Sequence, residues 1–247
     1  MNAQGKRSGE TAREYAYRMI REQVISLELK PGEAFNDMEF AAKIGVSRTP
    51  VREAVIQLSE ESRIIEIFPQ RGMRIAPIDV ELVEEARSLR VLLEKQIAGM
   101  CCEMATEEDI KWLQENVGLQ EFYMENSRPE MVMQLDDEMH HKLFMICHRE
   151  LTYGMCQKLA IHYDRIRSLS VNTVKDNTII EDHRKIIQFI AEHKKENAMA
   201  QMEKTKVSRY EKQQKRYKQK ACEKKAPDQD GQKQKKQKQA DPGEERD

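Results

Sequence analysis

The chain has 247 residues, of which 34% are charged and only 6% aromatic, with 10 glycines and 7 prolines. This composition favours a mainly helical protein of one large or two modest domains over a β-sandwich or a loop-rich scaffold. No apolar run approaches the roughly 18 residues of a membrane span, and the polar start lacks a signal-peptide core. We therefore expect a cytoplasmic protein with no membrane partner.

The net charge of −1 conceals an uneven distribution of charge along the chain. Residues 79–207 contain 17 basic and 24 acidic side chains, a net charge of −7, whereas residues 208–247 contain 13 and 8, a net charge of +5. An acidic middle will not attract nucleic acid broadly. Any binding of DNA must therefore depend on individually placed arginines or on the basic tail.

The first predicted elements are two helices that follow a polar segment. Residues 1–10 are polar and predicted to be disordered. Apolar residues at helical spacing predict a helix over 11–27. A second, shorter helix is predicted over 37–44, and Gly45 is the glycine expected just after its last turn.

A third helix is predicted immediately after a tight turn, within "GVSRTPVREAV" at residues 45–55. Thr49 can serve as its N-cap, with Pro50 at the first helical position, where the missing N–H does no harm. An apolar stripe at i, i+3, i+4 and i+7 must then be buried, and it comprises Val51, Ala54, Val55 and Leu58. The outward-facing residues include Arg48 and Arg52, so the pattern is that of a helix-turn-helix.

A β-hairpin is predicted after the third helix. Its strands are β-rich runs within 64–68 and 73–77, and its tip carries Arg71, Gly72 and Arg74. A helix-turn-helix followed by a basic hairpin is the outline of a winged helix. The first domain is therefore predicted over residues 11–78.

The rest of the chain carries no strand signal and is predicted to form an all-α bundle over residues 79–217. The predicted helices lie at about 79–102, 106–125, 129–149, 152–174, 178–194 and 196–217. The remaining residues, 218–247, are rich in lysine and glutamine, lack apolar periodicity and are predicted to be disordered.

The start of the third helix has the chemistry of a DNA contact. Helix N-termini attract phosphate oxygens, and in helix-turn-helix proteins the second helix enters the major groove with its N-terminal residues. Arg48 and Arg52 lie on one face and can contact guanine or phosphate, while Ser47 and Thr49 can donate to phosphate. The alternative is a capped surface helix with ordinary exposed arginines.

Residues 12–78 resemble the winged-helix domain of the GntR family of bacterial transcription regulators. The resemblance rests on "LKPGEAFNDMEFAAKIGVSRTPVREAVIQL" and "FPQRGMRIAP". It implies double-stranded operator DNA as the partner, and it implies specific DNA-contacting residues. These are Ser47, Arg48, Thr49 and Arg52 in the helix and Arg71 and Gly72 in the wing.

A candidate metal site lies in "QLDDEMHHKLF" at residues 134–144. Asp136 and His140 are spaced i, i+4 on one helical face, and Asp137 and His141 repeat the spacing one position later. With His183, such a set can hold Zn²⁺, Ni²⁺ or Mn²⁺ inside a bundle. The spacing leaves both registers open, and the alternative is charge pairing at the surface.

Residues 80–207 resemble the all-helical effector domain, called FCD, of the FadR-type subfamily. This resemblance selects Asp136, His140 and His183 as metal ligands beneath a pocket for a small carboxylate. The family's fourth ligand, a histidine, should lie near Thr205 and is absent, which weakens the expected site. Some members of the subfamily bind their effector without metal.

Arginines are the other candidates for binding a small organic acid. Arg90 and Arg165 are predicted to face inward toward such a ligand. The alternative for Arg90 is a surface ion pair with Glu94.

The predicted function is that of a homodimeric transcription repressor that responds to a small carboxylate, and not that of an enzyme. One alternative keeps the DNA-binding domain but makes the bundle a dimerisation scaffold with no ligand. Another is a metalloenzyme built on Asp136, His140 and His183. The sequence offers no placed general base or nucleophile beside those residues, which argues against the enzyme.

Overall fold

The computed structural model describes residues 5–171 and 178–207. The elements in chain order are α1 (Ala12–Ile25), β1 (Ala34–Phe35), α2 (Asp37–Ile44), α3 (Arg48–Ser62), β2 (Ile65–Phe68), β3 (Gly72–Ile75), α4 (Val80–Met104), α5 (Glu107–Glu125), α6 (Pro129–Ile146), α7 (Glu150–Val171), α8 (Thr178–Ala191) and a final helix, α9, over residues 195–207. The fold is mainly α with one small antiparallel sheet, as predicted. Within the described residues, no helix is long and apolar enough to cross a membrane.

Capping side chains fix the ends of the first two helices. Thr11 and Glu14 form a capping box at the start of α1. The Asn36 side chain accepts from two backbone N–H groups at the start of α2, and Gly45, with a φ of +73°, ends that helix in the left-handed conformation. These bonds satisfy backbone groups that lack intrahelical partners. The predicted boundaries of α2 are confirmed.

Helix α3 begins two residues earlier than the sequence predicts. Its N-cap is Ser47 and its first helical residue is Arg48, so the assignment of Thr49 as N-cap is wrong. Pro50 lies inside the first turn, where backbone N–H groups have no intrahelical acceptor in any case. The apolar stripe of α3 is fully buried, as predicted, at Val51, Ala54, Val55 and Leu58.

The predicted hairpin forms and is joined by a strand that the sequence did not reveal. Strands β2 and β3 pair antiparallel with Phe68 opposite Gly72, and the two-residue β1 pairs with the other edge of β3. Gly72 has a φ of +94°, a conformation that disfavours residues with a side chain. The hairpin tip therefore requires a glycine where the sequence places one.

Two cores form, one in each half of the chain. The first lies between α1, α2, α3 and the sheet, and it includes Ile20, Val55 and Ile65. The second lies between α4, α5, α6, α8 and α9. Helix α7 packs against α4 and α6 on one side and against α1 and α3 on the other.

The predicted helices of the second half are present in the described residues as α4 to α9. Thr106 caps α5 with a capping box. Glu10, at the end of the segment predicted to be disordered, accepts hydrogen bonds from Arg18 at 2.8 and 2.9 Å. The predicted extension of the last helix to residue 217 and the predicted tail at 218–247 lie outside the described residues.

Replacing Leu58 with alanine tests whether the apolar stripe of α3 holds the first core together. Leu58 is fully buried, and such a truncation costs about 2–5 kcal/mol because it leaves a cavity. The matched control is Ile56→Ala on the exposed side of the same helix. We expect urea unfolding, followed by circular dichroism, to show a clear loss of stability for the first variant only. Equal losses for both would contradict this packing.

Candidate functional site

The candidate DNA-reading surface is the first turn of α3. Ser47, Arg48, Thr49 and Arg52 are all exposed there. The Ser47 side chain makes no capping hydrogen bond, so it does not satisfy the N–H groups of the first turn. A phosphate oxygen can accept from such groups.

A buried carboxylate lies directly behind the two arginines. Asp37, the first residue of α2, is 3% exposed. Its Oδ1 lies 3.0 Å from Arg48 Nε, and its Oδ2 lies 3.7 Å from Arg52 NH1. Both arginine side chains remain more than half exposed. Asp37 thus holds the arginines on one face without removing them from solvent, a contact that the sequence analysis missed.

The wing presents a second basic surface. Arg71 and Gly72 are exposed at the hairpin tip, as predicted. Arg74 forms an ion pair with Glu66 on the adjacent strand, and its guanidinium carbon lies 5.1 Å from the centre of the Phe68 ring. Arg71 is therefore the basic side chain at the tip itself.

The second candidate site is a buried group of charged and imidazole side chains in the bundle, which we call the charged centre. It comprises Arg90, Glu94, Asp136, His140, Asp164, Arg167, His183 and Lys206, each no more than 6% exposed. Asp136, His140 and His183 each offer one ligand atom, and these atoms lie within 4.8 Å of one another. Of the two pairs that the spacing left open, the structure thus brings together Asp136 and His140, the pair that the resemblance implied. The neighbouring Asp137 is only partly buried and pairs with Arg167.

Arg167 dominates this centre, although the sequence analysis did not single it out. Its NH2 donates to Asp136 Oδ2 at 2.6 Å and its NH1 to Asp137 Oδ1 at 2.6 Å, with Asp164 Oδ1 at 3.5 Å. Burial alone would lower the pKa of Arg167, but the three carboxylates raise it well above its usual value. Arg167 is therefore a permanent buried cation.

Arg90 and Glu94 form a second pair in the charged centre. Arg90 Nε donates to Glu94 Oε1 at 2.9 Å, and Arg90 NH1 lies 3.8 Å from Asp164 Oδ1. Burial tends to raise the pKa of Glu94, yet nearby positive charge, above all that of Arg90, holds it below the usual range. The predicted pair of Arg90 and Glu94 therefore exists, but in the interior and not at the surface.

Neighbouring side chains orient His183, and burial determines the charge of His140. His183 Nδ1 lies 3.0 Å from Gln120 Oε1, while the Gln120 amide group donates to Asn116 at 2.7 Å. That arrangement places the Nδ1 proton on His183 toward Gln120 and leaves Nε2 facing Asp136 Oδ1 at 3.5 Å. Burial lowers the pKa of His140 well below 6.5, so its imidazole is neutral.

A metal ion does not fit the centre as it is arranged. Lys206 Nζ lies 2.9 Å from His140 Nε2, the nitrogen that faces Asp136, and Arg167 already contacts Asp136. A metal would have to displace the lysine to reach His140. Thr205, at the position where the resemblance placed a fourth ligand, donates its hydroxyl to the Gln201 carbonyl at 2.8 Å.

Arg165, the other predicted ligand-binding arginine, contacts the end of the first domain. Its NH2 donates to the Ala76 carbonyl at 2.6 Å and its NH1 to the Pro77 carbonyl at 3.4 Å, at the end of the first domain. Residues two apart on a helix point about 200° apart at 3.6 residues per turn. Arg165 and Arg167 therefore face opposite sides of α7.

Other side chains of α7 also face either the first domain or the charged centre. On the face toward the first domain, Lys158 pairs with Glu61 at 2.9 Å and His162 Nε2 donates to the Ser62 carbonyl at 2.5 Å. On the opposite face, Asp164 and Arg167 belong to the charged centre. One helix thus contacts both the DNA-binding domain and the charged centre.

A small cleft opens beside the charged centre. Arg90, Glu94, Tyr153 and Gln157 are among its lining residues. The interior of this cleft is no larger than about one water molecule, so it must widen to admit an organic ligand. Arg90 supplies its positive charge.

Comparison with known proteins agrees with both halves of this description. The model of bacterial regulatory proteins of the gntR family matches residues 12–75, and the FCD domain model matches residues 85–205. The chain belongs to the GntR family. It is a transcription regulator with a DNA-binding helix-turn-helix domain and an FCD domain.

Relatives and solved structures support this assignment. The HTH-type transcriptional repressor RspR of Escherichia coli is 30% identical over 64% of this chain and 69% of its own length. A regulator from an unstable DNA locus of Streptomyces ambofaciens is 30% identical over 75% of this chain and 78% of its own. The structure of Escherichia coli McbR/YncC covers 84% of this chain and 99% of its own, with a TM-score of 0.70 at 18% identity, which shows a common fold.

Replacing Arg167 with methionine tests whether the charged centre depends on this side chain. Removing one partner of a buried ion pair costs about 3–5 kcal/mol, since it leaves buried carboxylates uncompensated. The control is Arg184→Met, because the pair that Arg184 forms with Glu121 is exposed. We expect thermal unfolding to show a large loss for the first variant and no measurable change for the second. Similar melting temperatures for wild type and Arg167→Met would contradict the assignment.

Proposed function

We propose that this GntR-family chain is a homodimeric, ligand-responsive repressor that acts in the cytoplasm. Residues 11–78 would bind operator DNA, and residues 79–217 would bind the effector and form the dimer. The observation that carries the proposal is the pair Arg48 and Arg52, held exposed at the start of α3 by the buried Asp37. No enzymatic activity is proposed.

In this proposal the first turn of α3 enters the major groove. Arg48 and Arg52 contact base edges or phosphates, while Ser47 and Thr49 donate to phosphates. Asp37 limits the conformations of both arginines before DNA arrives, which lowers the entropy lost on binding. Arg71 and Gly72 of the wing contact the neighbouring part of the duplex.

The proposed effector is a small organic acid bound in the cleft beside Arg90. The guanidinium on its wall supports this class of ligand, for which the cleft must widen. Glu94 and Asp164 already neutralise Arg90. A bound carboxylate would therefore compete with these side chains for the guanidinium, and that competition would rearrange α4 relative to α7.

Helix α7 offers a route from the cleft to the DNA-binding domain. Gln157 and Tyr153 line the cleft, while Lys158, His162 and Arg165 contact the first domain. Two α3 helices must lie about one DNA turn apart to read a palindromic operator. An effector that favours another position of α7 would change that spacing, to the extent that its affinity differs between the two states.

A divalent ion was the other cation expected from the sequence. The convergence of Asp136, His140 and His183 supports it, and the position of Lys206 at His140 opposes it. A second candidate function makes the helical domain a dimerisation scaffold with no ligand. The mutual neutralisation of the buried charges favours that candidate, because such a centre is already stable without an added molecule.

Replacing Arg48 and Arg52 together with alanine tests the proposed DNA contacts. The probe is a duplex selected from a random-sequence pool by the wild-type protein. Each arginine contact is worth about 1–3 kcal/mol, so we expect a loss of at least about 30-fold in affinity by gel shift. The control is Arg184→Ala, which should bind like wild type. An unchanged footprint for the double variant would refute the proposed reading surface.

A thermal-shift screen with a panel of small carboxylates, with and without a chelator, tests the proposed effector. A ligand at 100 times its dissociation constant adds about 2.7 kcal/mol of stability, so one acid should raise the melting temperature of the wild type. Ala160→Leu places a larger side chain in the cleft wall and should abolish the shift, while Gly154→Ala, at an exposed site on the same helix, should keep it. The scaffold candidate predicts no shift with any acid.

A further inference from the structure

Lys206 lies among the side chains that would otherwise ligate a metal ion. It is only 4% exposed. Its Nζ lies 2.9 Å from His140 Nε2 and 2.7 Å from Glu94 Oε2. Lysine is rarely buried to this degree unless it is paired, so the location needs a physical reason.

The Lys206 ammonium occupies the lone pair of His140 Nε2, through which a metal ion would bind this histidine. An ammonium group has three donors and no acceptor, so His140 Nε2 must accept from it. His140 Nε2 is also the nitrogen that faces Asp136 Oδ1, at 4.0 Å. A metal bridging Asp136 and His140 would bind that same nitrogen. The ammonium and the metal therefore exclude each other.

The charges of the described centre already balance without an ion. Three buried cations, Arg90, Arg167 and Lys206, face three buried carboxylates. The carboxylates are Glu94, Asp136 and Asp164. A divalent ion would add two positive charges that no further buried carboxylate of the described centre neutralises, and uncompensated charge in an interior is costly.

We propose that the Lys206 ammonium takes the place of the metal ion in this chain. It ties α9 to α4 through Glu94 and to α6 through His140, as an ion held by ligands on several helices would. The FCD domain of this chain is then built without metal. This inference concerns the bundle alone and does not depend on the proposed effector or on DNA binding.

The test is the zinc content of the full-length protein after equilibration with Zn²⁺ and desalting, measured by mass spectrometry. The variants are Lys206→Met, which keeps the length of the side chain without its charge, and Lys204→Met, at an exposed position two residues earlier on α9. Each is made with and without His183→Ala, so that only zinc bound at this centre is counted. Wild type and Lys204→Met should hold zinc there in fewer than about one in ten chains, whereas Lys206→Met should approach one ion per chain.

Two results would overturn the proposal. One is a full equivalent of zinc in the wild-type protein that disappears with His183→Ala. The other is a folded Lys206→Met variant that takes up no more zinc than wild type, since something other than the ammonium would then exclude the metal. Should Lys206→Met fail to fold, the milder Lys206→Gln and the wild-type measurement still decide the matter.

Discussion

The helical domain depends on keeping a permanent positive charge in its interior. Arg167 is fully buried and contacts Asp136, Asp137 and Asp164. A guanidinium cannot lose its proton to relieve the cost of burial, so it needs carboxylates close by. The positions of α6 and α7 follow from that requirement, because Asp136 and Asp137 come from one helix and Asp164 and Arg167 from the other.

Helix α7, which holds Arg167, also contacts the DNA-binding domain. It is buried on both sides over residues 160–167, with Arg167 turned to the charged centre and Arg165 turned to the Ala76 and Pro77 carbonyls. A helix held on two faces cannot adjust one set of contacts without moving the other. This arrangement supplies a physical link between the two domains.

The sequence predicts the DNA-binding half well because its signals are local. Asn36 and Gly45 mark the ends of α2 within a few residues, and the spacing from Val51 to Leu58 defines the buried face of α3. The two-residue strand β1 escaped prediction because so short a run has no periodicity. Asp37 escaped as well, since its burial behind Arg48 and Arg52 depends on how α2 packs against α3.

The centre of the bundle was predicted only in part because its decisive contacts join distant residues. The spacing of Asp136 and His140 predicts a shared face, but nothing local pairs Lys206 with His140, 66 positions away. The part of α7 over residues 160–167 is buried on every side, so no exposed face indicates its orientation. The sequence therefore does not show which of Arg165 and Arg167 lies at the domain junction and which lies in the charged centre.

Amide hydrogen exchange of Arg167→Met, compared with Arg184→Met and wild type, tests the central claim that α7 links the charged centre to the DNA-binding domain. The account predicts faster exchange in Arg167→Met not only in the bundle but also over residues 62–77, which α7 contacts from its other face, with no change for Arg184→Met. Faster exchange confined to the bundle, with residues 62–77 protected as in wild type, would contradict the account.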